Sequence, residues 1–276
     1  MKKIISCSRR TDIPSFYYDW LQKVLEEKIV TLKNPYNDKD FSVDLDPENV
    51  HSLILWSKDF KNVVDNPLHL DKYNLYFQYT ITGRGMTAFE PSVPLYKESF
   101  KTMKSLADRY GGGAVNWRFD PIFIEEKRTA KDGAKNLVRV FKKLADMAVD
   151  AGVNRCTISF MDFYDKVTKR LHYNNLKVYD IDDALKVEIA QGIIDASNER
   201  GIKLCLCAQK INSELTGYED VGCIDGAVLM DLYGGKTTKS KDGGQRKLCK
   251  CVKSSDIGSY LNQPCGFKCK YCYAND

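Results

Sequence analysis

The sequence lacks the features that mark membrane, secreted and nucleotide-loop proteins. No apolar signal segment follows Met1-Lys2-Lys3, and no uncharged run is long enough to cross a bilayer. Neither a G-x-G-x-x-G pattern nor a Walker motif opens a helix, so no glycine-rich phosphate loop is expected. The 42 basic and 37 acidic residues balance too evenly to indicate a nucleic acid or an anionic membrane as partner.

Cysteine is the residue that the sequence has in excess, with ten in 276 residues. Without a signal segment this number predicts the cytoplasm, where reducing conditions make disulfides rare. Five of the ten thiols lie in the last 28 residues, and chance clustering on that scale is improbable. The distribution therefore favours a metal site over disulfides or scattered free thiols.

The densest group is Cys265, Cys269 and Cys272, which have C-x3-C-x2-C spacing. This spacing lets one compact loop point three thiols at a single inorganic centre. Gly266 permits the tight turn that such wrapping needs, including a left-handed one. Spacing alone leaves a zinc knuckle open as an alternative.

Six short apolar runs predict buried strands, and helical patterns or short helices separate them. The runs lie at residues 4–8, 52–56, 74–81, 114–119, 156–160 and 202–207. Regular strand–helix alternation predicts a parallel sheet, and the missing dinucleotide loop argues against a Rossmann sheet. We therefore predict an α/β fold with a partial or complete parallel β/α (TIM-like) barrel over residues 1–233. Residues 234–276 are predicted to form a cysteine-rich extension over the barrel mouth.

Charged side chains follow two of these strands at the carboxyl end, where α/β folds gather their ligands. Arg9, Arg10 and Asp12 follow the first strand, and Arg118 and Asp120 end the fourth. We interpret all five as candidate catalytic residues. Structural explanations stay open, because Thr11 or Asp12 can cap a helix predicted at about 15–28, and Arg118 can form a salt bridge with Asp120.

The terminal motif, with Tyr271 just before its third cysteine, resembles the cluster loop of the radical S-adenosylmethionine superfamily. There, three thiolates hold a [4Fe-4S] cluster on a partial β/α barrel, in a loop that normally follows the first strand. Here the loop ends the chain. Together with residues 8–14, 117–121 and 245–247, this displacement resembles an uncharacterised prokaryotic family with a C-terminal cysteine cluster similar to that of the superfamily.

The resemblance implies a radical S-adenosylmethionine enzyme whose substrate is unknown. Cys265, Cys269 and Cys272 would hold a [4Fe-4S] cluster, and the iron left open would bind S-adenosylmethionine. An electron passed through the cluster would cleave that cofactor to a 5′-deoxyadenosyl radical. The expected partner is a reducing electron donor such as a flavodoxin or ferredoxin. Superfamily members that repair DNA photolesions leave nucleic acid open as a substrate.

Several polar groups are candidates for holding S-adenosylmethionine in such an enzyme. They are the backbone around Tyr271 and the strand-end side chains of Gln78, Thr80 and Ser159.

Four further cysteines, Cys207, Cys223, Cys249 and Cys251, match positions associated with the same family. They would complete a second [4Fe-4S] cluster or a structural zinc site. Alternatively, Cys249 or Cys251 supplies a fourth ligand to the terminal cluster and closes its open iron. The second hypothesis is therefore a non-catalytic iron–sulfur or zinc protein that uses its cysteines for electron transfer or structure. The remaining thiols are expected to be core residues within strands, namely Cys7, Cys156 and Cys205.

Overall fold

The computed structural model describes residues 1–33, 39–127 and 129–274, which form a mixed α/β fold around a parallel sheet. The strands are β1 (Lys3–Cys7), β2 (Ile29–Lys33), β3 (Asp40–Asp44), β4 (Val50–Ser57), β5 (Leu75–Thr80), β6 (Val115–Ile122), β7 (Arg155–Phe160), β8 (Lys203–Leu206) and β9 (Ser255–Asp256). The helices are α1 (Ile13–Phe16), α2 (Tyr18–Glu27), α3 (Lys61–Asp65), α4 (Tyr96–Tyr110), α5 (Ala130–Asp150), α6 (Asp165–Tyr173), α7 (Asp183–Asn198) and α8 (Gly226–Tyr233).

The seven-stranded sheet has the order β8-β7-β6-β5-β4-β1-β9, and all its neighbouring strands are parallel. The six predicted strands are confirmed as β1 and β4 to β8. At least one helix lies between each of these strands and the next, as parallel connections require. Consecutive strands are also neighbours, so the sheet is built by successive strand–helix–strand units.

A closed barrel does not form, so the prediction of a complete barrel is wrong. Within the described residues the edge strands β8 and β9 do not pair with each other. A TIM barrel needs eight full strands. After β8 the described residues form a short 3-10 helix (Lys210–Glu214), helix α8, which contains the apolar run 227–230, and the two-residue strand β9, but no further full strand.

Some elements have no counterpart in the predicted pattern. Strands β2 and β3 form an antiparallel pair outside the main sheet. Helix α6 was not predicted, and the helix expected after Asp12 is interrupted at Tyr17, between α1 and α2. None of the helices in the part of the chain that the structure describes has the length and apolarity of a membrane span.

The helices build the main core on one face of the sheet. Trp117 of β6 is fully buried and stacks on Phe141 of α5, with ring centroids 5.2 Å apart. Phe77 of β5 belongs to the same core. Cys7 and Cys156 also lie there, which confirms them as core residues. Each fully buried large apolar side chain stabilises the fold by roughly 1.5–3 kcal/mol.

Alternate residues of a strand point to opposite sides of the sheet. On these strands the side chains that point away from the main core are polar. Gln78 pairs in register with Asn116, and Arg118 pairs with Thr157. All four side chains are buried. The Asn116 amide donates to Gln78 Oε1 at 2.7 Å and to Thr157 Oγ1 at 2.9 Å. This polar face supplies one wall of the candidate site.

An apolar cluster covers part of the polar face from the C-terminal half of the chain. Ile4 and Tyr76 of the sheet share this cluster with Ile224, Leu229 and Val252. The segment that carries Cys223, Cys249 and Cys251 is thereby held against the strands.

Candidate functional site

Cys265, Cys269 and Cys272 line a single cavity of about 170 Å³ at the carboxyl end of the sheet. Its other walls come from the loop 8–12 after β1, the residues 56–58 at the end of β4, Thr80 of β5, and neighbouring terminal residues. The structure thus brings together the thiols of the C-x3-C-x2-C motif and the ends of three parallel strands. We call this space the three-thiol cavity.

Two thiols of the three-thiol cavity, those of Cys265 and Cys269, are poor acids. Burial, with a further contribution from Asp12, raises the pKa of Cys265 to about 12. Burial also raises the pKa of Cys269 to about 12. Both are therefore neutral thiols near pH 7, and binding a metal would release their protons.

A buried ion pair anchors the terminal loop through Tyr271. The Tyr271 hydroxyl donates to Glu90, which also accepts hydrogen bonds from Lys58 Nζ at 2.9 Å and Thr82 Oγ1 at 2.7 Å. Burial alone would raise the pKa of Glu90, but the Lys58 charge and the hydrogen bonds outweigh it and lower that pKa. The loop between Cys269 and Cys272 is therefore fixed to the β5–α4 connection through an ionised carboxylate.

Gly266 packs closely against Phe16 and does not adopt a left-handed conformation. A Cβ atom at this position would lie 2.5 Å from the ring of Phe16, and its φ angle is not in the left-handed region. The left-handed residue of the loop is Lys268, with φ of 54°. The predicted left-handed role of Gly266 is therefore wrong.

Two further contacts hold the terminal segment to helices at the same end of the sheet. The Tyr17 hydroxyl donates to the Pro264 carbonyl at 2.7 Å, and Arg170 Nη1 donates to the Cys272 carbonyl at 2.7 Å. The segment is thus attached to elements that follow β1, β5 and β7.

The second cysteine set also comes together in space, and we call it the four-thiol group. Cys207 lies next to Cys223, Cys223 next to Cys251, and Cys251 next to Cys249, close enough for each thiol to shift the pKa of its neighbour. The neighbouring Cys251 lowers the pKa of Cys249 to about 7. Within residues 1–33, 39–127 and 129–274, however, no three His, Cys, Asp or Glu side chains are arranged as ligands of a single metal ion.

Arg118 extends from the polar face of the sheet to the four-thiol group. Its Nη1 donates to Cys223 Sγ at 3.0 Å, and its Nη2 donates to Asp120. Its guanidinium also lies over the Trp56 ring, 5.2 Å from the centroid. Burial opposes its charge, but Cys223 and Asp120 outweigh this effect and raise the pKa of Arg118 well above its usual value.

Arg9 lies between the two thiol sites. It lines the three-thiol cavity, lies beside Cys251, and stacks over Trp56 at 5.4 Å. Its Nη1 donates to Ser254 Oγ at 3.2 Å. Its Nη2 is buried and has no hydrogen-bond partner among the residues that the structure describes.

The other candidate residues after β1 have structural contacts as well as a place in the cavity wall. Asp12 caps α1 by accepting from the Ser15 amide at 3.1 Å, which confirms the capping explanation. It also accepts from Ser57 Oγ at 2.7 Å and from the Lys58 amide at 2.8 Å. Arg10 donates to a carbonyl of the tail, that of Gly258, at 2.9 Å.

The remaining candidates divide between the two sites. Thr80 and Tyr271 line the three-thiol cavity. Gln78 instead donates to the Cys223 carbonyl at 2.5 Å, and Ser159 donates to Asp120 on the polar face. Asp120 and Arg118 form the salt bridge that was the structural alternative to a catalytic role for these two residues.

Sequence reasoning missed Lys58, Glu90, Trp56 and Asp256. Lys58 and Trp56 lie at a strand end, so the rule that selected Arg9 could have selected them. Glu90 lies in an irregular loop with no periodic pattern. Asp256 accepts from Ser6 Oγ at 2.8 Å, a contact between residues 250 positions apart that no local pattern indicates.

A family model described as a domain of unknown function (DUF1848) matches residues 4–274. Both thiol sites and the walls of the cavity lie inside this match. No curated protein matches the chain.

Proposed function

We propose that this chain, which belongs to the DUF1848 family, is a radical S-adenosylmethionine-type iron–sulfur enzyme. The observation that carries the proposal is the position of Cys265, Cys269 and Cys272 around one cavity. A [4Fe-4S] cluster held there would supply an electron and an open iron for reductive cleavage of S-adenosylmethionine.

The polar groups of the three-thiol cavity support a bound polar cofactor. Thr11 is buried in its wall, and its hydroxyl has no hydrogen-bond partner in the described part of the chain. A buried hydroxyl without a partner is costly unless a ligand or water pairs with it. Arg10 places positive charge in the same wall, which favours a ligand with a carboxylate.

The chain's own part in this chemistry is to position ligands and exclude water. Glu90 fixes Tyr271 and so holds the loop that carries Cys269 and Cys272. Asp12 fixes the start of α1 against Ser57 at the end of β4. Rigid walls of this kind hold reactive groups in a fixed position and shield them from solvent.

We further propose that residues 234–276 act as an iron–sulfur-binding tail over the carboxyl end of an incomplete barrel. Pairing of β9 with β1 and the contact of Arg10 with Gly258 support this arrangement. Reduced thiols and a low-potential electron require a reducing environment, so we place the enzyme in the cytoplasm with a flavodoxin- or ferredoxin-type donor.

The test is anaerobic reconstitution of the full chain with iron and sulfide. After reduction, S-adenosylmethionine is added while the electron paramagnetic resonance spectrum and 5′-deoxyadenosine are measured. We expect S-adenosylmethionine to change the spectrum of the cluster and to yield 5′-deoxyadenosine. A cluster whose spectrum is indifferent to S-adenosylmethionine, with no 5′-deoxyadenosine formed, would refute the enzyme.

The second candidate is a non-catalytic iron–sulfur or zinc protein. The proximity of Cys207, Cys223, Cys249 and Cys251 supports it, because a metal that gathered these four thiolates would have no open position for substrate or cofactor. The same experiment separates the two candidates. Metal that is bound stoichiometrically and never responds to S-adenosylmethionine supports this second function.

A further inference from the structure

We propose that the tail formed by residues 234–276 and a cleft of exposed aromatic side chains beside it bind single-stranded nucleic acid. The lysines of the tail would contact the phosphates, and a base would stack on the rings of the cleft. This binding needs no metal. The further statement that the strand is the substrate rests on the proposed function, so the binding experiments below and the test of the enzyme can fail separately.

The tail carries an excess of positive charge that the balance of the whole chain conceals. Residues 234–276 contain nine lysine and arginine residues, three aspartates and no glutamate. The formal charge of the whole chain is +5, so the first 233 residues are close to neutral. A strongly basic segment on an otherwise neutral chain indicates a polyanionic partner.

The acidic side chains of the described part of the tail point inward. Asp256 accepts hydrogen bonds from Ser6 Oγ at 2.8 Å and from Ser8 Oγ at 2.7 Å. Asp242 lies 3.8 Å from Arg9 Nη1. The outer surface of the tail is therefore left to its basic residues.

Most of these basic residues are not neutralised by a neighbour. Arg246 and Lys250 pair with Asp162 and Asp220. Six exposed lysines of the tail form no ion pair with any residue in 1–33, 39–127 or 129–274, namely Lys236, Lys239, Lys241, Lys247, Lys253 and Lys268. Exposed cations without a counter-charge are available to phosphates.

The aromatic cleft is a surface cavity of about 720 Å³, lined by Phe163, Tyr164, Asp165, Lys166 and Tyr273. All three of its aromatic side chains are exposed, and the ring centroids of Tyr164 and Tyr273 are 6.2 Å apart. Tyr273 also lines the three-thiol cavity, so the two spaces share a wall. The volume is large enough for a small ligand, and exposed rings are stacking platforms for bases.

Three of the exposed lysines lie together and form what we call the lysine patch, Lys241, Lys247 and Lys253. Lys241 pairs with Val252 in an antiparallel bridge, which places it next to Lys253. Its Nζ also donates to the Lys247 carbonyl at 2.7 Å. Arg246, which precedes Lys247, donates to Asp162 directly before the first residue of the cleft. The lysine patch and the aromatic cleft therefore border each other.

The combination of lysines and recessed rings favours a single strand over other polyanions. An acidic protein would pair with the lysines but would not need the cleft. A flat anionic membrane contacts protruding side chains better than rings that line a cavity. A duplex keeps its bases stacked, whereas a single strand presents unstacked bases to aromatic side chains. A nucleotide in the cleft would lie at the wall shared with the three-thiol cavity.

The first experiment measures binding of fluorescently labelled single strands to the metal-free, reduced full chain by fluorescence anisotropy. One strand is DNA and the other is RNA of the same mixed sequence. With about four phosphates contacted, we expect the affinity to fall about 50-fold between about 50 and 200 mM salt. Binding of either strand supports the proposal, and the tighter one identifies the sugar. Absence of binding for both strands at low salt would overturn it.

The second experiment removes the charge of the lysine patch in the variant Lys241→Gln/Lys247→Gln/Lys253→Gln. Loss of three phosphate contacts should weaken binding and reduce the slope of log affinity against log salt by about 2. The matched control changes three exposed lysines outside the tail to glutamine, Lys23, Lys72 and Lys104. A slope that is equal in the patch variant and in the parent would overturn the role of the tail.

The third experiment tests the aromatic cleft. Tyr164→Ala should weaken binding of the strand about 5- to 150-fold without changing the salt slope, because it removes one stacking platform. Tyr164→Phe, which keeps the ring, should bind like the parent, and so should the control Tyr173→Ala, whose exposed ring lies outside the cleft. Heparin serves as a polyanion without bases. If Tyr164→Ala binds the strand like the parent and heparin binds as tightly as the strand, the tail docks an acidic partner and the proposal is wrong.

Discussion

The three-thiol cavity and the four-thiol group lie on either side of Trp56 and Arg9, yet their thiols are arranged differently. Cys265, Cys269 and Cys272 line about 170 Å³ of space, whereas thiols of the other group lie close enough to shift one another's pKa. Thiols around a space can hold a metal group and still admit a ligand. Thiols that lie against one another leave no such space, so the difference separates an open site from a closed one.

The supports of the two sites differ as well. The three-thiol cavity depends on a terminal loop fixed by the Glu90–Lys58 ion pair and by Tyr271. The four-thiol group is packed against the sheet and receives Arg118 from β6. Changes to the loop supports should therefore affect the cavity first and leave the four-thiol group largely intact.

Cys269→Ala should produce the largest effect, because it removes one of three ligands from the cavity. We expect 5′-deoxyadenosine formation to fall to background while the iron bound by the four-thiol group is retained. Product formation and iron content of the reconstituted variant are the two measurements. Cys156→Ala is the matched control, since Cys156 is fully buried in the helix-side core. Loss of all iron in Cys269→Ala would mean that the two thiol sites share one centre.

Local sequence patterns predicted more of the fold than of the candidate site. The six strands were predicted because runs such as 52–56 and 156–160 are apolar and bounded by turn residues. The two-residue strand β9 has no such run, and its pairing with β1 joins residues about 250 positions apart. The open sheet likewise depends on α8, whose apolar run 227–230 fits a strand or a helix by periodicity alone.

The candidate site was predictable where cysteine spacing or a strand end marked it. Both thiol sets were predicted, and the structure brings each together. The division of the charged residues was not predictable, because it depends on which side of a strand each residue points to and on what covers that side. Arg118 was predicted as catalytic but contacts the four-thiol group, and Glu90 was missed because its role depends on three distant partners.

Glu90→Gln should give the next largest effect, on stability. The change keeps the shape of the side chain but leaves the Lys58 ammonium buried without its counter-charge. Removing one partner of a buried ion pair costs about 3–5 kcal/mol of unfolding free energy. Urea denaturation of the metal-free, reduced chain measures this loss.

Glu98→Gln is the control for that measurement, because Glu98 pairs with Lys101 on an exposed helix surface. Such a pair contributes only about 0.3–0.5 kcal/mol. Equal losses of stability in the two variants would show that the Glu90–Lys58 pair is not an anchor of the loop.

Tyr271→Phe should have a smaller effect than Glu90→Gln, because Glu90 keeps its bonds to Lys58 and Thr82. Loss of one hydrogen bond to a charged group costs about 1.5–3 kcal/mol. The same denaturation series measures it, with the exposed Tyr173→Phe as control. If Tyr271→Phe matched its control, the loop would be held by other contacts.

Tyr17→Phe should have the smallest effect, and it tests whether the terminal loop and the four-thiol group open independently. Its hydroxyl bonds the Pro264 carbonyl at 2.7 Å in a partly solvated position, so its removal costs about 0.5–1 kcal/mol. Because Pro264 directly precedes Cys265, local opening of residues 265–274 should become more frequent. Amide hydrogen exchange should therefore speed up in that segment and stay unchanged around Cys249 and Cys251. Equal acceleration in both regions would show that the terminal loop and the four-thiol group open as one unit, and that the difference in their supports does not make them independent.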